Sequence, residues 1–351
     1  MTDAGPVGTL PASAGPAGGD PAGQALAGRR LARGRLVRGR LVKGSLVRGI
    51  AVRLAAALAV LFGAATLAFA ALQLVPGDPV TVLLGPSTTA SAEVRAQIRE
   101  DFGFDRPVVV QYASYLGHLL RGDLGESYQL QRPVAELIDS QLWPTVQLAL
   151  AAAVLAVVVA VLSAVTTAGR PLPRALASAW ELLAVSTPSY WLGIVLLTFF
   201  SFRLTIFPVA GAEGFASLVL PAITLALPVA GVLAQVLREG LETALAQPFV
   251  VTARARGLTR TAVRFRHALR HAAVSLVTLT GWLTGTLLGG AVLVEVVFAR
   301  PGIGTLTLQA VSNKDMPVVI GVVLISASVF VLISTVVDLA YLAIDPRLRK
   351  G

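Results

Sequence analysis

The chain has 351 residues, 55% of them hydrophobic and 14% charged, a formal net charge of +10 and no cysteine. Several apolar runs of about 20 residues, each enough to cross a hydrocarbon core of roughly 30 Å as a helix, exclude a soluble protein. The absence of cysteine excludes disulfides, thiolate metal sites and Cys nucleophiles, and the arrangement of the basic residues by topology sets aside a nucleic-acid partner.

Residues 1–28 are dominated by Gly, Ala and Pro, a composition that buries too little surface to offset chain entropy and is expected to be disordered. Residues 29–51 form a basic arm built on a repeated pattern, Arg-Leu-Ala-Arg-Gly, Arg-Leu-Val-Arg-Gly, Arg-Leu-Val-Lys-Gly, Ser-Leu-Val-Arg-Gly. Such an arm fixes orientation, and near anionic lipid it is attracted to the surface. The remainder, 52–348, opens with a first span over 52–74. Its Ala68-Phe69-Ala70 resembles a signal cleavage site, but the apolar run exceeds the usual core of about 7 to 15 residues, so an uncleaved helix is expected.

Residues 76–141 make a polar segment with nine acidic and five basic side chains, in which Ala92–Phe102 and Val108–Leu120 read as amphipathic surface helices. Further spans are expected over 142–167, 179–202, 217–237, 273–297 and 317–344. Six spans place both termini on one side. With Arg53 included, 21 Lys and Arg then lie on the side of the termini and of loop 238–272, against 8 on the other. Both termini and that loop are therefore assigned to the cytoplasm, and segment 76–141 to the outside.

Loop 238–272 carries Arg254, Arg256, Arg260, Arg264, Arg266 and Arg270, too many charges for lipid, and reads as two helical pieces joined at Gly257. His267 and His271 stand at metal-ligand spacing on the second piece, but no carboxylate lies near and the arginines would repel a cation, so no metal site is expected. His118 reads as a surface residue. No nucleotide-binding loop, His-Glu-x-x-His or Gly-x-Ser-x-Gly pattern occurs, and no catalytic residue is expected. Span five carries Gly281, Gly285 and Gly289 at four-residue steps with Thr284 among them, a pattern for close helix packing or for lining a wet pathway. Glu295 and Asp338 are ionisable residues at or inside the membrane boundary, expected to pair or to face a cavity, and Glu181 is placed at the interface.

The run Thr252-Ala253-Arg254-Ala255-Arg256-Gly257-Leu258, continued by Arg266-His267-Ala268-Leu269-Arg270, resembles the EAA motif of permease subunits of bacterial ABC importers of the dipeptide, oligopeptide and nickel type. Leu74-Val75-Pro76-Gly77-Asp78-Pro79, Asp105-Arg106-Pro107, Gly122-Asp123-Leu124-Gly125, Pro301-Gly302-Ile303-Gly304 and Asp345-Pro346-Arg347 agree with that family in order. Val251 stands where the motif usually begins with a charged residue, and Pro248-Phe249 replaces a more usual Asp-Tyr pair.

The resemblance implies an all-α, six-helix type I ABC importer permease fold in the bacterial plasma (inner) membrane. It implies a similar second permease subunit in a heterodimer, two ATP-binding subunits that hold ATP and Mg, and an extracytoplasmic substrate-binding protein, while this chain binds no cofactor of its own. Val251, Thr252, Ala253, Arg254, Ala255, Arg256 and Gly257 would form the ATPase-coupling loop, with Ala253 as a small docking surface and the motion passing to spans four and five. Thr284, Gly285 and Gly289 would border the pathway. The alternative from the residues alone is an ion-gradient-driven secondary transporter, which calls for paired half-helices or midplane carboxylates.

Overall fold

The structure, a computed structural model, describes residues 51–71, 73–74, 79–84, 90–269, 272 and 279–344. The glycine-rich tail, the basic arm up to residue 50, most of the Leu74–Pro79 motif, Arg270, His271, the start of span five and the closing Asp345-Pro346-Arg347 lie outside the described residues. Contacts divide the chain between Ala56 and Ala57, and the packing below concerns the second unit.

The described residues are helical, with one isolated antiparallel bridge between Glu126 and Pro133. In chain order the helices are α1 (Ala51–Ala71), α2 (Pro79–Leu84), α3 (Ala92–Phe102), α4 (Val108–Leu120), α5 (Val134–Thr167), α6 (Pro171–Ser186) and α7 (Ser189–Leu196). They continue with α8 (Ala216–Leu245), α9 (Pro248–Ala255), α10 (Arg260–Val263), α11 (Thr280–Val297), α12 (Ile303–Ser312) and α13 (Met316–Ile344). Among the described residues, four are long and apolar enough to cross a membrane, or five spans if the bent pair α6 and α7 counts as one; α11 is a shorter apolar helix.

The two amphipathic helices of the polar segment have the bounds expected from sequence. The Ser91 hydroxyl caps α3 by accepting from Val94 N at 3.4 Å, and Gly103 ends it at φ 67°. α5 begins well before the expected residue 142 and, at 34 residues, runs about 51 Å, longer than a hydrocarbon core needs.

The third expected span, 179–202, is not one helix. Thr187 precedes Pro188 and is held extended at φ −85° and ψ 123°, so α6 stops there and α7 leaves at a bend of 101°. Hydropathy spreads evenly across this break and conceals it. α7 then continues as a π-helical stretch, Leu197–Arg203.

The core is a seam of alanines. On α5, Ala152, Ala156, Ala160 and Ala164 are fully buried, and on α8 Ala222, Ala226, Ala230 and Ala234 are buried at the same four-residue step. Columns of small side chains let two backbones approach closely, which in lipid replaces the missing hydrophobic drive between helices. Leu148, Val229, Leu233, Leu287 and Val294 close the seam on either side. Large apolar side chains such as Leu67, Leu162, Leu172 and Phe215 are exposed, as a lipid-facing surface requires.

Candidate functional site

The arginine-rich loop folds as a helical hairpin. Pro248 opens α9 at its first turn, where a missing N–H is harmless, and Gln247 before it is extended. At the other end Gly257 N donates to Arg254 O at 2.9 Å and Leu258 N to Ala253 O at 3.3 Å. This paired ending requires a left-handed residue, which Gly257 supplies at φ 84°. A Cβ at Gly257 would meet nothing within 4 Å, so the demand for glycine there is conformational and not steric. Leu258 folds back onto the buried cluster Val250, Ala253 and Val263.

Ala253 is thus turned into the hairpin, where its small size lets α9 lie against Val263, and does not itself form the outward surface. The outward face carries Val251, 72% exposed, with Thr252, Arg254, Ala255 and Arg256.

Thr259 precedes α10 and its hydroxyl accepts from Ala262 N; the helix runs on as a π-helical turn, Arg264–Ala268. Arg264 reads from sequence as a topological anchor, yet it is buried. Its guanidinium donates to Val165 O at 3.3 Å and to Ala168 O, carbonyls at the C-terminal end of α5. Those carbonyls have no partner within their own helix, and the negative end of the helix dipole favours a cation. The hairpin is therefore latched to the second expected span. Ala268 and Ala272 pack into the same corner against Ala164, Leu237 and Leu241.

Beside this latch α6 and α8 are joined by charge. Glu181 is fully buried and accepts from both Arg238 terminal nitrogens at 2.6 Å, while Ser163 donates to Glu181 at 3.2 Å and Arg238 donates to Ser178 at 3.2 Å. This corrects the interfacial placement of Glu181: α8 continues past the expected residue 237, which carries Arg238 into the α6 interface. Further along, Arg174 pairs with Glu242 at 3.0 Å, and Glu242 also accepts from Gly169 N.

At the opposite end of α11, Glu295 is buried and caps α12. It accepts from Thr145 Oγ1 at 2.6 Å and from Gly304 N at 2.7 Å, while the Thr145 hydroxyl accepts from Ile303 N at 2.8 Å. A carboxylate here satisfies orphan N–H groups and meets the positive end of the helix dipole. A Cβ on Gly302 would fall inside the Glu295 carboxylate, which explains the glycine. Gly302→Ala is expected to cost about 1–3 kcal/mol by overpacking, read as a lower unfolding temperature of the purified chain; an unchanged temperature would show that the carboxylate has room.

Two features of this end, at Asp315 and Arg300, escape local sequence reasoning, and a third, at Asp123, is local. Asp315 is buried and accepts from Ser127 Oγ and from Tyr128 N at 3.1 Å, tying the polar segment to the start of α13. Arg300, 1% exposed, reaches Gln147 Oε1 at 3.3 Å, but its Nε and Nη1 find no partner among the described residues. Asp123 accepts from Gly125 N and pairs with His118 at 2.8 Å; these contacts, the backbone N–H first, hold its carboxyl below the usual range.

The three pathway candidates on α11 do not share one face. Thr284 is buried within the chain, whereas Gly285 and Gly289 lie on the exposed side with Trp282, Leu293 and Val296. A Cβ at Gly285 or Gly289 would meet nothing within 4 Å, while one at Gly290 would strike Leu225. Asp338 lies in α13 and its side chain, like that of His267, lies outside the described residues. Among the described residues no group of three His, Asp or Glu could hold a metal.

Two family models match the chain. The binding-protein-dependent transport system inner membrane component covers residues 156–350, and the N-terminal membrane component of such systems covers residues 46–149. The glutathione transport system permease protein GsiC of Salmonella typhimurium is 36% identical over 299 residues, spanning 85% of this chain and 97% of that protein. A Brucella abortus protein described as a peptide transport system permease is 37% identical over 313 residues, with the same 85% and 97% coverage. A Sinorhizobium fredii protein described as a peptide ABC transporter permease is 36% identical over 308 residues, again at 85% and 97%. With its helical membrane fold, its capped arginine-rich hairpin and these matches along nearly its whole length, the chain belongs to the family of binding-protein-dependent transport system inner membrane components.

Proposed function

We propose that this permease carries peptides or a related small solute such as glutathione from an extracytoplasmic substrate-binding protein into the cytoplasm, driven by ATP hydrolysis on two separate ATP-binding subunits. The names of its relatives support the cargo class. The family assignment replaces ion-gradient-driven transport as the reading. ATP and Mg belong to the partner subunits, and this chain contributes no cofactor site.

In this reading both termini and the Gly257 hairpin face the cytoplasm. The hairpin docks an ATPase through Val251, Thr252, Ala255 and the flanking Arg254 and Arg256. The observation that carries the mechanism is the Arg264 latch, because a docked hairpin held on α5 moves α5 with it. α5 is packed along its alanine seam to α8, so motion reaches the core as a rigid-body rotation and not only through spans four and five. Co-expression with the ATP-binding subunits should yield one complex, and vesicles holding it should take up a short peptide only with ATP and binding protein. Uptake driven by an ion gradient without ATP would overturn the reading.

The exposed stripe of Gly285 and Gly289 faces the pathway and a similar second permease subunit. Because the chain has no cysteine, Gly285→Cys and Gly289→Cys can be labelled cleanly. Both are expected to react with an aqueous thiol reagent in at least one nucleotide state, and Thr284→Cys more slowly in all. Silence at both glycine positions in every state would make them packing residues.

A further inference from the structure

Between α1, α4 and the start of α13, on the side of the polar segment, lies a cavity of about 310 Å³ that no transport step described above uses. Its size is at the lower end of the range for small-ligand sites, about 300–1,000 Å³. The walls are well pinned. Phe69 stacks on Tyr115 with ring centres 5.5 Å apart and contacts Tyr112 at 5.1 Å, and the Tyr112 hydroxyl is bonded to Thr66 at 2.7 Å. Gln111 Nε2 donates to Arg106 O at 2.8 Å, fixing the turn that carries Arg106.

What matters is which lining groups remain uncommitted. Asp123 is taken up by Gly125 and His118. The Tyr115 hydroxyl is buried and without a partner among the described residues. Arg106 and Glu126 line the same cavity, and neither has a side-chain partner among the described residues, Arg132 pairing instead with Glu136. The Arg106 stem lies over Gly103, with Cδ and Nε 3.3 Å from where a Cβ would be. The uncommitted groups, an exposed cation, an exposed anion and one buried hydroxyl, stand beside the committed Asp123–His118 pair on a lining of mixed polarity, a set that fits neither a simple anion nor a metal. A buried hydroxyl left unbonded is costly, so a ligand that bonds it gains on binding.

We propose that this cavity binds a compact zwitterion, with its carboxylate or phosphate on Arg106, its primary ammonium on Glu126 and a hydrogen bond to the Tyr115 hydroxyl. Burial pushes the Tyr115 phenol up to about 12, with Tyr112 adding to the shift, so it remains a hydroxyl donor across the physiological range. The cavity is large enough for an amino acid or a short peptide, and the same chemistry occurs in a phosphatidylethanolamine headgroup. The peptide source rests on the importer reading above. The site would hold released substrate at the outer mouth, separate from the exposed α11 stripe.

The test uses the assembled transporter in phosphatidylcholine nanodiscs, without binding protein, bearing Ser114→Cys; Ser114 lines the cavity and this is then the only thiol in the chain. Dialanine should protect the thiol from an aqueous reagent, and N-acetyl-dialanine amide should not. Arg106→Gln and Glu126→Gln should each raise the half-protecting concentration roughly tenfold or more, as expected for losing a charge-assisted contact. If phosphatidylethanolamine nanodiscs alone protect and dialanine does not, the zwitterion site stands with lipid as its source. Equal protection by the blocked dipeptide, or none by dialanine or phosphatidylethanolamine, overturns the proposal. Dialanine uptake by the complete system reads the importer function separately: uptake without protection sinks the cavity alone, and protection by lipid without peptide uptake sinks the peptide reading alone.

Discussion

Replacing Arg238 with Met is expected to destabilise the chain by about 3–5 kcal/mol, because it leaves the Glu181 carboxylate buried without its cation. Glu181 is fully buried and both of its oxygens are bonded to Arg238, so water cannot take the arginine's place without opening the α6–α8 interface. Glu181→Leu should be similarly harmful, since it strands the guanidinium. The double variant, Glu181→Leu with Arg238→Met, removes both charges and should recover most of the loss, as buried ion pairs exchanged for apolar side chains often do. Denaturant unfolding of the purified chain in detergent provides the comparison. A single variant costing less than about 1 kcal/mol would mean that the pair is solvated, contrary to its burial.

Arg264→Met is expected to separate hydrolysis from transport. The apolar stem is retained, so the side chain still fills its place, but the donors to Val165 O and Ala168 O are lost. The stability cost should be modest, about 1–3 kcal/mol for stranded carbonyls. The functional cost should be larger: uptake reduced roughly tenfold or more relative to ATP hydrolysis, a change equivalent to about 1.4 kcal/mol. Arg264→Lys, which restores one donor, should recover part of the ratio. A purely structural role would lower the amount of folded complex while leaving uptake per ATP unchanged.

The contrast between Gly257 and Arg264 shows what a sequence makes legible. A glycine before Leu258 in a helical pattern announces a left-handed helix ending, and φ 84° is that ending. The bounds of α3 and α4 are equally local, set by Ser91, Gly103 and Pro107. Arg264 reads as one charge among six, because its acceptors lie about a hundred residues earlier and nothing in its own helix marks it. The Glu181–Arg238 and Thr145–Glu295 pairs are hidden for the same reason: each joins helices far apart in sequence. The alanine columns of α5 and α8 are visible as four-residue steps, but alanine-rich apolar sequence offers many such steps, and only packing selects the seam. The break at Thr187-Pro188 was signalled by proline and masked by uniform hydropathy.

Coupling in this permease depends on whether the capped hairpin transmits force. The measurement is ATP hydrolysis and peptide uptake recorded in the same vesicles, holding the complete transporter with Gly257→Asp and supplied with binding protein. A left-handed residue with a Cβ costs about 1–2 kcal/mol, enough to loosen the hairpin's ending without unfolding the chain. Hydrolysis that continues while uptake falls toward background is the predicted result. Uptake and hydrolysis coupled as in the unaltered protein would contradict the assignment of this loop as the coupling element.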